Sequence, residues 1–222
     1  MDIFPVRVLS TRWVTHDVRQ FMVDKPKGYS FVPGQATEVT LPGDKWKGER
    51  RPFTFTGLNE WDHLEFTIKI YKDHHGVTEQ LGKIEVGDEI VLHDVWGAIQ
   101  YKGEGTFIAG GAGITPFIAI LRQLRRDGAL GNNRLIFSNK TEKDIILKEQ
   151  WDEWLRGRVQ YTLTREKVPG FGYGKIDEAW LKTNISNFKQ QFYVCGPDGL
   201  VADVKKALEH LGGADTLVTV EL

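Results

Sequence analysis

The sequence predicts two folded units in tandem: a six-stranded antiparallel barrel over residues 1–102 and a five-stranded parallel α/β domain over residues 103–222. Three observations predict it. The length of 222 residues suits one large domain or two small ones, and 41% apolar residues are enough for a sizeable core. Up to residue 102 the apolar runs are short, β-rich and separated by turn residues. Beyond it strand and helix alternate, the pattern of a parallel sheet with crossover helices.

In the first half, runs near residues 6–14, 19–23, 37–41, 52–56, 64–71 and 89–95 read as strands. Turns fall at Pro26-Lys27-Gly28, Pro33-Gly34, Pro42-Gly43-Asp44 and Val86-Gly87-Asp88, where Pro fixes φ and Gly admits positive φ. Only residues 77–84 have the length and composition of a short helix. Tyr101-Lys102-Gly103-Glu104-Gly105 reads as the link to the second half. There, strands near 106–109, 134–138, 159–163, 192–195 and 217–220 alternate with helices near 115–126, 144–156, 177–183 and 198–211.

Composition excludes several classes of function. Lys plus Arg is 29 and Asp plus Glu 30, a formal net charge of −1, which gives no polyelectrolyte attraction to nucleic acid or anionic lipid. The single cysteine, Cys195, forms no internal disulfide and holds no zinc or iron–sulfur cluster by itself, so a reducing, cytoplasmic setting is expected. Neither a signal peptide nor an apolar run of about 18 residues is present, and no membrane insertion is expected. His74-His75 lacks metal-ligand spacing, so no metal is assigned. No G-x-S-x-G supports a serine hydrolase. Glycine, at 24 residues, is in excess and points to tight turns or close backbone approach to a ligand.

Four short motifs carry chemistry. Gly110-Gly111-Ala112-Gly113-Ile114-Thr115-Pro116 lies between a strand and a helix, where unpaired N–H groups and the helix dipole suit a pyrophosphate. Thr115 is placed to cap, and Pro116 suits the first helical turn. Cys195-Gly196-Pro197 closes a late strand at the carboxyl edge of the sheet, where ligands of α/β folds bind. Arg51-Pro52-Phe53-Thr54 and Gly76-Val77-Thr78 belong to the barrel half. Each alone has a plainer reading: a packing turn, a small core thiol, a surface arginine beside a core aromatic, a helix start.

In this order and spacing the four resemble the ferredoxin–NADP reductase family, over essentially the whole chain. That resemblance implies a Greek-key FAD-binding barrel and a Rossmann-like NAD(P)-binding domain, with FAD and NAD(P)H as cofactors. It implies that Arg51 and Pro52 border the flavin site, Arg51 on its pyrophosphate, with Phe53 on the flavin and Thr54 near flavin N5. Gly76, Val77 and Thr78 are expected on the FAD phosphates. Gly111, Gly113, Thr115 and Pro116 would serve the dinucleotide, and Cys195, Gly196 and Pro197 the nicotinamide end. Thr54, Cys195 and Glu221 are the candidate catalytic residues.

Phe53 stands where tyrosine is usual, the chain has no terminal aromatic, and no iron–sulfur module is present. Electrons are then expected to leave to a separate acceptor: ferredoxin, flavodoxin or another redox partner. The basic run Lys45, Lys47, Arg50, Arg51 beside Trp46 reads as a solvated loop or as a greeting for an acidic carrier. Thr164-Arg165-Glu166 after one strand resembles the S-R-E segment that holds a 2′-phosphate in the plastid-type enzymes, and Ser138-Asn139-Lys140 after its neighbour adds a cation, which together imply NADPH over NADH. Two alternatives stay open: a flavin or small-molecule reductase without a protein partner, and a non-catalytic flavin or dinucleotide redox sensor.

Overall fold

The computed structural model describes residues 3–46, 48–73, 75–97, 99–213 and 217–220, so Lys47, His74 and Glu221 lie outside the described residues. The first sheet consists of β1 (Phe4–Trp13), β2 (Val18–Asp24), β3 (Ala36–Thr40), β4 (Arg51–Thr54), β5 (His63–Lys69) and β6 (Glu89–Trp96), with the short helix α1 (Val77–Leu81) between the last two. Its order is β4-β3-β6-β1-β2-β5. Every neighbouring pair is antiparallel. A Phe55–Phe66 bridge and the Thr56 N–H on the Glu65 carbonyl at 2.8 Å join the two end strands and close the barrel. Val8, Phe21, Val39, Phe55, Phe66 and Leu92 fill its interior.

The second sheet is parallel, in the order β10-β9-β8-β7-β11-β12. Its strands are β7 (Gly105–Gly110), β8 (Arg134–Asn139), β9 (Val159–Leu163), β10 (Gly172–Tyr173), β11 (Gln191–Cys195) and β12 (Leu217–Val220). The helices are α2 (Thr115–Arg126), α3 (Lys148–Leu155), α4 (Glu178–Asn184) and α5 (Asp198–His210). Ile108, Ile136 and Val194 of the sheet pack with Val201, Val204 and Leu208 of α5.

The chain clusters into two compact units, residues 1–100 with 115–123, and residues 101–114 with 124–222. Most of α2 therefore belongs with the barrel. Arg122 donates to the Thr56 carbonyl at 2.7 Å and pairs with Glu65, both side chains nearly buried, while its guanidinium lies over the Trp61 ring. Glu65 also accepts the Thr56 hydroxyl at 2.8 Å. A paired and hydrogen-bonded carboxylate is the form in which a buried charge is tolerated.

The fold class is the one the sequence predicts, with two differences. The parallel sheet has six strands, because two residues of the long β9–α4 connection add β10. The helix expected from residue 144 starts at Lys148: residues Glu142–Asp144 form a 3-10 turn, and Leu147, at φ 56°, breaks the backbone before α3.

Candidate functional site in two units

In the barrel unit, β4 sits at one end of the sheet order, so Pro52 removes no central ladder bond. Arg51 is half exposed, its guanidinium 3.1 Å from the Glu49 carboxylate and 2.7 Å from the Arg50 carbonyl. Phe53 packs in part on the barrel core, and Thr54 is buried. In the loop before β4, Lys45 lies over the Trp46 ring and Arg50 pairs with Glu38, so that basic run is partly neutralised.

Val77 and Leu81 anchor α1, both fully buried. Gly76, its N-cap, is extended and brings no capping side chain, so the first-turn N–H groups have no side-chain acceptor. This donor set, with the half-exposed Arg51 guanidinium on β4, fits a dinucleotide's phosphates. At the far end of α1, Arg19 is buried and donates to the carbonyls of Gly82 at 2.9 Å and Leu81 at 3.5 Å, a cation where a helix presents unpaired carbonyls. Sequence reasoning missed Arg19, and only its place inside an apolar strand run could have signalled it.

In the α/β unit the strand ends converge tightly. A Cβ on Gly113 would lie 2.4 Å from the Cys195 carbonyl oxygen and 2.5 Å from the Gly196 Cα. A Cβ on Gly110 would lie 2.5 Å from Leu200 and 3.0 Å from Pro197. The two glycine motifs thus pack against each other, backbone on backbone. Gly111 is different: it has φ +52°, and nothing lies within 4 Å of its would-be Cβ. The turn Gly111–Ile114 leads into α2, where Thr115 and Pro116 are buried. This open left-handed glycine before a helix start fits close approach of a phosphate.

Cys195 is fully buried at the end of β11, and burial pushes its thiol up to about 12, with partial relief from the Gly196 N–H. It is a neutral thiol, not a nucleophile. Pro197 is the N-cap of α5. At the ends of β8 and β9, Thr164 N–H donates to the Asn139 carbonyl and Arg165 N–H to the Lys140 carbonyl, each at 2.9 Å. Lys140 and Arg165 are exposed, and neither has an ion-pair partner among the described residues. Ser138 is buried, and strand alternation gives it the same face as Ile136. Asn139, missed by sequence reasoning, is buried with neither amide atom hydrogen-bonded among the described residues.

Comparison with known proteins bears on the fold and on the second unit. Residues 107–206 match the family model described as "Oxidoreductase NAD-binding domain". The chain is 29% identical to NADH-cytochrome b5 reductase 1 of Pyricularia oryzae, covering 90% of this chain and 71% of that protein. It is 26% identical to inducible nitrate reductase [NADH] 1 of Glycine max, covering 94% of this chain and 27% of that protein. The chain therefore spans about a quarter of the soybean enzyme. Among solved structures, a ferredoxin NADP+ reductase from Neisseria gonorrhoeae with bound FAD and NADP superposes with TM-score 0.84 at 20% identity, covering 98% of each chain. No helix among the described residues is long and apolar enough to cross a membrane. With its barrel, its parallel sheet and its four motifs in order, the chain carries an oxidoreductase NAD-binding domain over residues 107–206 and has the fold of the ferredoxin NADP+ reductase structure it superposes on.

Proposed function

We propose that this protein takes reducing equivalents from NADPH in preference to NADH and passes them singly to a separate carrier such as ferredoxin or flavodoxin. The observation that carries the dinucleotide choice is the Lys140–Arg165 pair, tied together by a backbone rung and free of acidic partners among the described residues. When bound, FAD supplies the step between a two-electron donor and a one-electron acceptor. The chain's own residues position. Arg51 would hold a pyrophosphate with a fork suited to it, Gly76, Val77 and Thr78 would offer backbone donors, and Thr54 would offer a hydroxyl to the flavin. Gly111, Gly113 and Thr115 shape the loop that receives the nicotinamide dinucleotide. Cys195 contributes a small, uncharged, polarizable side chain, and Glu221 remains a candidate near the redox centre. The lone cysteine, buried as a free thiol, supports a reducing, cytoplasmic setting.

A second reading has its own support. The Pyricularia and Glycine relatives are named as NADH enzymes, which favours NADH as donor and a cytochrome or other haem protein as acceptor. One set of assays separates the two: flavin bleaching by NADPH and by NADH in wild type and Arg165→Ala, then reduction of ferredoxin, flavodoxin and cytochrome b5 by the wild type. A charged hydrogen bond to a 2′-phosphate, worth ~1.5–3 kcal/mol, predicts about a 10- to 150-fold loss in kcat/KM for NADPH in the variant, with NADH nearly unchanged. A wild type that prefers NADH, or equal losses with both donors, refutes the NADPH choice. Carriers that leave turnover unchanged refute the carrier role, and a flavin that neither donor bleaches refutes the enzyme reading.

A further inference from the structure

We propose that Glu166 is a positioning residue for adenosine recognition, pinning the loop after β8 to the loop after β9 so that Lys140 and Arg165 stand ready for a 2′-phosphate. The inference rests on the NADPH reading above. Glu166 Oε2 accepts the backbone N–H of Glu142 at 2.9 Å. Glu142 opens the 3-10 turn Glu142–Asp144, and the first N–H groups of a helical turn have no partner within it. The same turn is fastened from its own side: the Asp144 carboxylate accepts the Thr141 N–H at 2.7 Å and the Thr141 hydroxyl at 2.6 Å.

Two backbone rungs, Thr164 N–H to Asn139 and Arg165 N–H to Lys140, already lace the loops just beyond the sheet. The Glu166 bond is a third rung and comes from a side chain, as does the longer bond of the Thr164 hydroxyl to the Asn139 carbonyl at 3.3 Å. It lies beyond the residues whose side chains are to do the binding, so Lys140 and Arg165 emerge between two fixed points. A carboxylate this close to two cations would ordinarily pair with one of them. Here an oxygen is engaged by a main-chain donor, and both cations keep clear of acids among the described residues.

A rival role for Glu166 is electrostatic: a negative charge near the ribose would repel a 2′-phosphate. The two roles predict opposite signs for the same variant. Between exposed, screened groups a single charge changes affinity by about two- to threefold. Loss of a hydrogen bond that orders a loop changes it by about fivefold or more.

The test uses the FAD-loaded protein and calorimetric titration with two probes, adenosine 2′,5′-bisphosphate and 5′-AMP. Wild type is expected to prefer the bisphosphate. Glu166→Ala should narrow that preference by about fivefold or more while 5′-AMP binds within about twofold of wild type. Glu166→Gln keeps an acceptor oxygen without the charge, and should retain most of the preference. A preference unchanged or widened in Glu166→Ala overturns the inference, as does a Gln variant as impaired as the Ala variant. Equal loss for both probes makes the effect one of loop stability and overturns it too. A wild type that binds both probes alike overturns the NADPH reading, and this inference with it. Wild-type preference that survives in Glu166→Ala overturns the inference alone.

Discussion

Replacing Gly113 with alanine separates two reasons for glycine within one loop. The φ of Gly113 lies outside the left-handed region, so conformational freedom does not explain it, and space does. The added Cβ would sit 2.4 Å from the Cys195 oxygen and 2.5 Å from both the Cys195 carbonyl carbon and the Gly196 Cα. Ordinary contact begins near 3.4 Å, so one backbone must retreat by about 1 Å, and no side-chain rotation can absorb the clash. Overpacking of this kind costs ~1–3 kcal/mol, which for a chain of this size lowers Tm by roughly 2–12 °C. The retreat also moves the Cys195 strand end, and a shift of about 1 Å at a reacting pair can cost ~100-fold in rate. The assay pairs thermal unfolding with stopped-flow reduction of the flavin by NAD(P)H, with retained flavin absorbance as the check on the barrel. Gly111→Ala is the control: its φ of +52° makes alanine strained by about 1 kcal/mol, yet its Cβ meets nothing within 4 Å. A Gly113→Ala protein with wild-type Tm and reduction rate, or one more stable than Gly111→Ala, would refute the close-packing argument.

Two further outcomes follow from buried groups. Because burial holds the Cys195 thiol at about 12, iodoacetamide at pH 8 should label the folded protein far more slowly than the urea-unfolded chain. Comparable labelling rates in the two states would show that the thiol is accessible and ionised. The His93 imidazole is held below its ordinary 6.5, chiefly by burial and then by Arg50, so between its folded pKa and 6.5 the unfolded chain binds more protons. Stability should therefore be full above about pH 6.5 and fall as pH drops toward the folded pKa, by at most ~1.4 kcal/mol per pH unit. Neither ring nitrogen of His93 has a hydrogen-bond partner among the described residues, so His93→Leu should flatten that slope in urea titrations at pH 7 and pH 5. Equal slopes in variant and wild type would assign the acid loss to other groups.

The fold was legible because every strand but β10 has a local signature. The apolar runs of the barrel are bounded by Pro and Gly, and the alternation beyond residue 105 has the period of a parallel sheet. Local signatures also explain the misreadings. Ile145-Ile146-Leu147 continues the apolar pattern of α3, but the Thr141–Asp144 box closes a 3-10 turn first and Leu147 takes a left-handed conformation, so the helix starts later. Gly172–Tyr173 is too short to announce a strand and pairs only because Thr162 and Leu163 lie beside it. Site residues divide the same way. Glycine motifs are visible because a missing side chain is a sequence fact, whereas the reason for each glycine depends on register. Cys195 pairs with Ala109 across the sheet, and that register brings the turn after β7 against the Cys195 carbonyl. Charged residues are the least legible. Arg19, Glu65 and Arg122 have the composition of a solvated surface, and only the folded barrel unit shows Arg19 buried beside carbonyls and Glu65 buried against a nearly buried Arg122. A buried ion pair is conditional on its geometry, since either partner alone would leave an uncompensated charge. Glu65 and Arg122 come from β5 and α2, far apart in sequence, so the chain must fold before the pair exists. The buried charged residues are therefore set by contacts between distant segments, while the candidate cofactor residues belong to short motifs.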